Sequence, residues 1–271
     1  MAEEFRVLRP YEFHCQLIKK GQRADGRKLD EFRDIKLEVD AISTADSSSL
    51  VKLGNTSLVC GCITRLSKKT DNSNESDDIN IHVELPPICS SPTGHRTQHT
   101  AQLLTKTLKN VLDDMKCLDR NCLSVDNENL SWSIDVEVIC LNYDGCLLDA
   151  ALIAVLAALK SLKLTDETSG ISQKFILNKM PIRSSFAIIG DRVICDPNLE
   201  EETVAQSTMS ITIEPSSHGD NCHINKQGGK AIDFQKLSEC TRLAKQRATL
   251  ILKQLSECPA LCHGDAMMDC L

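Results

Sequence analysis

Four carboxylates crowd one short stretch of this chain, at Asp196, Glu200, Glu201 and Glu202. Acids grouped in this way can hold a divalent cation or move a proton during cleavage of a phosphodiester or glycosidic bond. A strand-like alternation follows, with Met209, Ile211 and Ile213 on one face and Thr208, Ser210 and Thr212 on the other. A carboxylate on that polar face would suggest an enzyme, but the face carries only hydroxyls. A hydroxyl is uncharged at neutral pH and holds a metal poorly by itself. Adjacent residues of a turn point in different directions, so Glu200, Glu201 and Glu202 predict a solvated acidic loop rather than a metal cluster.

Other residues with chemical potential are weaker. Arg23-Ala-Asp-Gly-Arg27 reads as a polar turn in which Asp25 caps the backbone while Arg23 and Arg27 pair with acids or carbonyls. Arg96 lies beside Gly94 in a predicted loop and is the one candidate phosphate contact, whereas Lys106 and Lys109 fall on the polar face of a predicted helix. His95 and His99 lack any Cys or acid at ligand spacing. Fourteen cysteines are scattered without a single Cys-x-x-Cys. A zinc site would show tighter pairs. Reduced, buried thiols are predicted, with no metal and no cofactor.

The elements that must position these residues follow from periodicity. A short helix is predicted over 3–20, strands at 32–40, 48–53, 57–63 and 79–85, and a helix over 98–116. The alternation from Trp132 to Cys140 is the clearest strand, and an almost wholly apolar helix follows over 147–162. Strands at 174–178, 183–190, 192–196 and 207–214 precede a loop at Gly228-Gly229 and a long helix capped by Asp233. The apolar-free stretch from Lys68 to Asp78 predicts a mobile loop, and the tail from 259 to 271 a disordered end. The fold class is α+β, with two pseudo-duplicated halves. The divisions are an N-terminal helical extension over 1–22, a first half over 23–165 and a second over 166–258.

The longest apolar run, Ala150 to Leu159, is too short to span a membrane. The N-terminus resembles neither a secretory signal nor a transit peptide, which predicts a soluble intracellular protein. A net charge of −7 disfavours a self-sufficient nucleic-acid binder.

Taken in order, Arg23-x-Asp-Gly-Arg27, Ser43-Thr-Ala-Asp46 with Leu50 to Thr56, Leu141 to Ala150, and Asp196-Pro to Glu202 resemble the RNase PH-like subunits of the RNA exosome ring. The resemblance spans roughly residues 8 to 257. It implies a ribosomal-protein-S5-domain-2-like fold in two βαβα halves. Active members cleave RNA from its 3′ end with inorganic phosphate as nucleophile. Against their pattern, Cys146, Leu147 and Leu148 stand where a Gly-Thr-Arg segment opens the phosphate-binding helix, and Thr208 stands where the essential aspartate falls. The resemblance therefore implies a non-catalytic ring subunit supporting 3′-to-5′ RNA processing and degradation, including rRNA processing and mRNA turnover. It implies a hetero-oligomer with the other RNase PH-like subunits and RNA-binding cap subunits, RNA reached through the assembled channel, no membrane, and residence in cytoplasm, nucleus and nucleolus. Two other readings are an active phosphate-dependent 3′-to-5′ exoribonuclease and, more remotely, a cysteine-rich metal-binding module.

Overall fold

The computed structural model describes residues 2–68, 79–89, 94–118, 123–125, 130–166, 171–215 and 221–257. Two sheets carry the architecture. The first is built from β1 (Ile35–Val39), β2 (Ser47–Leu53), β3 (Thr56–Lys68), β4 (Ile79–Glu84), β5 (Ser124–Val125) and β6 (Leu130–Asn142), in the order β1-β2-β3-β6-β4 with β5 alongside β6. Only β4 runs parallel to its neighbour, β6; the other pairs are antiparallel. β7 (Lys163–Asp166) and β8 (Ile171–Lys174) make a separate hairpin. The second sheet has the order β10-β9-β11-β12, from β9 (Ile182–Ile189), β10 (Arg192–Cys195), β11 (Ser207–Glu214) and β12 (Asn221–Gly228).

The helices are α1 (Ala2–Leu8), α2 (Pro10–Lys19), α3 (Gly94–Asp114), α4 (Leu147–Ser161), α5 (Leu199–Val204) and α6 (Phe234–Glu257). α4 lies at the centre, with every residue from Ala150 to Leu159 no more than 2% exposed. Such a helix must be apolar all round, as its sequence is. Two buried serines of β2 accommodate it: Ser49 donates to the Ala154 carbonyl at 2.7 Å and Ser47 to that of Ala158. Phe186, Met209, Ile211 and Ile213 face Cys240 and Ala244 of α6, while Ala187, Ile189 and Ile194 receive Ile18 of α2. The α+β class and the two strand-and-helix halves are therefore present.

Several boundaries differ from the sequence reading, each for a local reason. The single N-terminal helix is two, because Pro10 lacks the N–H needed to continue α1 and instead sits at the start of α2. The strand expected over 174–178 is shifted toward the N-terminus: β8 ends at Lys174, and Leu177 makes only an isolated bridge to Leu118. The segment before Gly228-Gly229 is a full edge strand, β12. Arg96 belongs to the first turn of α3 rather than to a loop, and its side chain lies outside the described residues. Most of the Lys68–Asp78 loop and the whole 259–271 tail also lie outside them. Eight of the ten described cysteines are buried, and burial pushes the thiol of Cys117 up to about 12 and that of Cys240 to about 11.

Candidate functional site

The turn from β6 into α4 (Asp144, Gly145, Cys146) packs directly on the turn from β10 into α5 (Asp196, Pro197, Asn198). Gly145 has φ +79°, and a Cβ there would lie 2.6 Å from the Pro197 carbonyl oxygen. Only glycine allows this approach. Cys146 adopts a left-handed conformation at the N-cap of α4, and its thiol donates to Pro197 O at 3.3 Å. Asn198 caps α5 reciprocally with Glu201: each side chain accepts the other's backbone N–H.

Three arginines bind the junction together. Arg23 grips Glu201 with two parallel bonds, one of them 2.9 Å, and also donates to the carbonyls of Cys195 at 2.7 Å and Asp196 at 3.0 Å. Arg27 bonds Asp25 at 2.7 Å and reaches Asp196 at 3.3 Å. Asp25 also accepts the Arg27 backbone N–H at 3.1 Å. Arg33, which the sequence reading did not single out, holds both oxygens of Asp196 at 2.8 and 2.9 Å and donates to the Asp144 carbonyl at 2.6 Å. Burial alone would raise the Asp196 carboxyl. The Arg33 hydrogen bonds and the charges of Arg247 and Arg33 override it and hold the group well below the usual carboxylate range.

The three consecutive glutamates are not a solvated loop, which corrects the sequence reading. They occupy α5 and point three ways. Glu200 meets Arg6 at 3.0 Å on the surface, and Glu201 is enclosed with Arg23. Glu202 turns toward α4, accepting the Cys146 backbone N–H at 2.8 Å and the Tyr143 hydroxyl at 3.1 Å. Burial raises the Glu202 carboxyl above its ordinary value, and these two donors only partly counter it. Among the described residues, no three His, Cys, Asp or Glu side chains converge to hold a metal.

A helix N-terminus attracts an anion through free N–H groups and the helix dipole. At α4 that position is occupied from within the chain by Glu202. The side chains that follow add nothing cationic: Leu147 is 5% exposed and Leu148 packs half-buried against the core. Asp149 is fully buried, accepting the Ser185 N–H at 2.8 Å, the Ser185 hydroxyl at 2.7 Å, Arg183 at 3.2 Å and Arg247 at 3.3 Å. The Arg247 guanidinium in turn lies 4.5 Å over the Phe32 ring. Thr208 sits on β11 between Ala187 of β9 and Gln227 of β12. Its polar face runs on through Ser210 and Thr212 to Glu214, which lies 3.8 Å from Lys179. A cleft of about 600 Å³ opens above the junction, lined by Arg6, Arg27, Arg33, Asn55, Tyr143 and Asn198 among others. Each arginine in it already has a carboxylate partner.

Comparison with known proteins agrees with this two-halved arrangement. Residues 31–165 match the RNase PH model described as the 3′ exoribonuclease family, domain 1, and residues 179–247 match domain 2 of that family. The exosome complex component Rrp42 of Methanocella arvoryzae is 30% identical over 94% of this chain and 98% of its own. The exosome complex component rrp43 of Schizosaccharomyces pombe is 29% identical over 90% of this chain and 94% of its own. A solved structure of the Archaeoglobus fulgidus exosome with RNA bound to the active site superposes with a TM-score of 0.77, at 25% identity, over 90% of this chain and 96% of that one. Two consecutive domain matches, joined at the turns where Gly145 meets Pro197, place the chain in the 3′ exoribonuclease, or RNase PH, family.

Proposed function

We propose that this chain is a non-catalytic structural subunit of the exosome core ring, supporting 3′-to-5′ RNA processing and degradation by helping to build the ring and its channel. The observation that carries the reading is the Glu202 carboxylate seated on the Cys146 N–H at the start of α4. A phosphate nucleophile would need that end of the helix, and it would meet the Glu202 carboxylate there, with Leu147 and Leu148 in the first turn instead of a cation. Thr208 supplies a second, independent defect, because a hydroxyl cannot serve as the acid at the scissile bond. Arg23, Asp25 and Arg27 then serve the fold by tying the first half to the second.

The partners in this reading are the other RNase PH-like ring subunits and RNA-binding cap subunits, with RNA met in the assembled channel. The compartments are cytoplasm, nucleus and nucleolus. The Ser43-Thr-Ala-Asp46 segment resembles that of ribosomal RNA-processing protein 43, and there Asp46 accepts both the N–H and the hydroxyl of Thr64, at 2.6 and 2.7 Å. Purified chain incubated with inorganic phosphate and labelled RNA tests the reading. The expected result is intact RNA, and phosphate-dependent release of nucleoside diphosphates would overturn it.

A further inference from the structure

Among the described residues the two large sheets end on β1, β4, β10 and β12. An edge strand presents outward N–H and C=O groups that template another strand unless the edge is blunted. Three of these edges are. β4 is covered by α3, where the Val83 N–H donates to the Thr105 hydroxyl at 3.1 Å. β10 has only four residues, and its Cys195 N–H donates to the Leu29 carbonyl at 2.8 Å. β1 has five residues, of which Lys36 and Glu38 are exposed charges. β12 has no such device. Its eight residues, about 27 Å of strand, match β11 one for one from Glu214↔Asn221 to Ser207↔Gly228, without a bulge. Every residue from Cys222 to Gly228 is exposed, and none is proline. Lys226 is its only lysine, arginine or acid, and the ammonium turns back onto the strand's own Gly228 carbonyl at 3.1 Å.

Ile224 shows which side of an added strand would be apolar. It pairs with Ile211, a fully buried residue that packs under Cys240 and Ala244 of α6. Register partners share a face, so Ile224 carries that apolar layer out to the edge, where it is 45% exposed. We propose that β12 receives a strand of a different protein chain, added edge to edge, with an aliphatic residue beside Ile224. Backbone chemistry selects this occupant. Alternating donors and acceptors are matched by another extended polypeptide, which offers both. Phosphate oxygens only accept, so RNA along this edge would leave the outward carbonyls without donors. That the strand comes from another protein rather than a second copy rests on the hetero-oligomer proposed above; the strand addition itself does not.

Photocrosslinking by p-benzoylphenylalanine, placed singly at positions 223, 225 and 227 of the full chain assembled in cells, tests it. These three positions share the face opposite Ile224, so the probe leaves the apolar contact in place. The expected adducts walk along one segment of one other protein in steps of about two residues, as paired strands require. Ile224→Lys puts on the edge the kind of charge that blocks strand addition, and should lower all three yields at least about tenfold. The walk is read without that variant, so it stands whether or not the variant folds. Adducts with a second copy would overturn both the occupant and the hetero-oligomer behind it. Adducts with another protein that show no two-residue step would overturn strand addition and leave the hetero-oligomer intact. RNA adducts, no adducts at all, or yields unchanged in a folded Ile224→Lys chain would also overturn the proposal.

Discussion

Arg23 and Glu201, 178 residues apart, form a doubly hydrogen-bonded ion pair whose side chains are both shut off from solvent. One partner comes from the turn before the first sheet and the other from α5 in the second half. Removing one charge leaves the other buried without compensation, at a cost of about 3–5 kcal/mol. Arg23→Met should therefore lower stability by that amount in urea unfolding, with an unchanged denaturant slope. Pairing it with Glu201→Met should cost less than the sum of the two single changes. The second change still removes the carboxylate that accepts the Asn198 backbone N–H, a hydrogen bond worth about 1 kcal/mol. A single-variant loss under 1 kcal/mol would show that the pair does not hold the halves together.

This pair also marks how far the sequence can be read. Elements whose burial is local in sequence were legible: the all-apolar α4 and the alternation of β6 announce themselves through periodicity. β12 was not, because its described side chains are exposed and an edge strand without an apolar face has no alternation to show. Glu201 resembled a solvated charge because its neighbours are acids and its partner lies in a distant turn. Arg33 gave no signal for the same reason; its importance comes from Asp196 and Asp144, more than a hundred residues away. Leu148 and Thr208 stood out only through the family resemblance, which aligns them with an arginine and an aspartate. The carboxylate of Glu202 on the Cys146 N–H required the fold.

Asp196 makes the junction acid-sensitive in a defined direction. Its folded carboxyl titrates well below the ordinary value of 3.8, so its stabilising effect is complete above that value and is lost as the pH falls toward the folded one. Asp196→Asn should thus be clearly less stable than the wild type at pH 7, and the gap should narrow progressively below pH 3.8 in chemical-denaturation series. Glu202 runs the other way. Its carboxyl is raised above 4.5, so ionisation costs stability at neutral pH and that cost disappears below 4.5. Glu202→Gln, which keeps an acceptor for Cys146, should gain stability at pH 7 and lose the advantage in acid. A gap for Asp196→Asn that stays constant through the acid range would contradict this account.

Gly145 and Gly26 separate two kinds of strain. Both have positive φ, +79° and +86°, but a Cβ on Gly26 meets nothing within 4 Å. Gly26→Ala should cost about 1–2 kcal/mol for the left-handed backbone alone. Gly145→Ala adds the collision with Pro197 and Asn198, a further 1–3 kcal/mol or so by analogy with overpacked cores. Melting temperatures of the two variants measured side by side should rank Gly145→Ala clearly lower. Equal losses would mean that the two turns do not meet as closely as the structure has them.

If the chain is the non-catalytic subunit proposed above, supplying a cation at Leu148 and an acid at Thr208 should not create phosphorolysis. Leu148→Arg would bring a cation to the first turn of α4, and Thr208→Asp would return an acid to β11. Glu202 would still hold the Cys146 N–H, and Asp149 would remain in the same turn with its own four donors. An arriving phosphate would have to displace the Glu202 carboxylate, so the double variant is expected to leave RNA intact at any phosphate concentration that the active relatives use. Adding Glu202→Ser opens the N–H and removes one negative charge. Phosphate binding, read by titration calorimetry, is expected to appear only in that triple variant. Phosphate-dependent cleavage by the double variant, with none by the wild type, would mean that Glu202 is no obstacle and that Leu148 and Thr208 alone account for the difference.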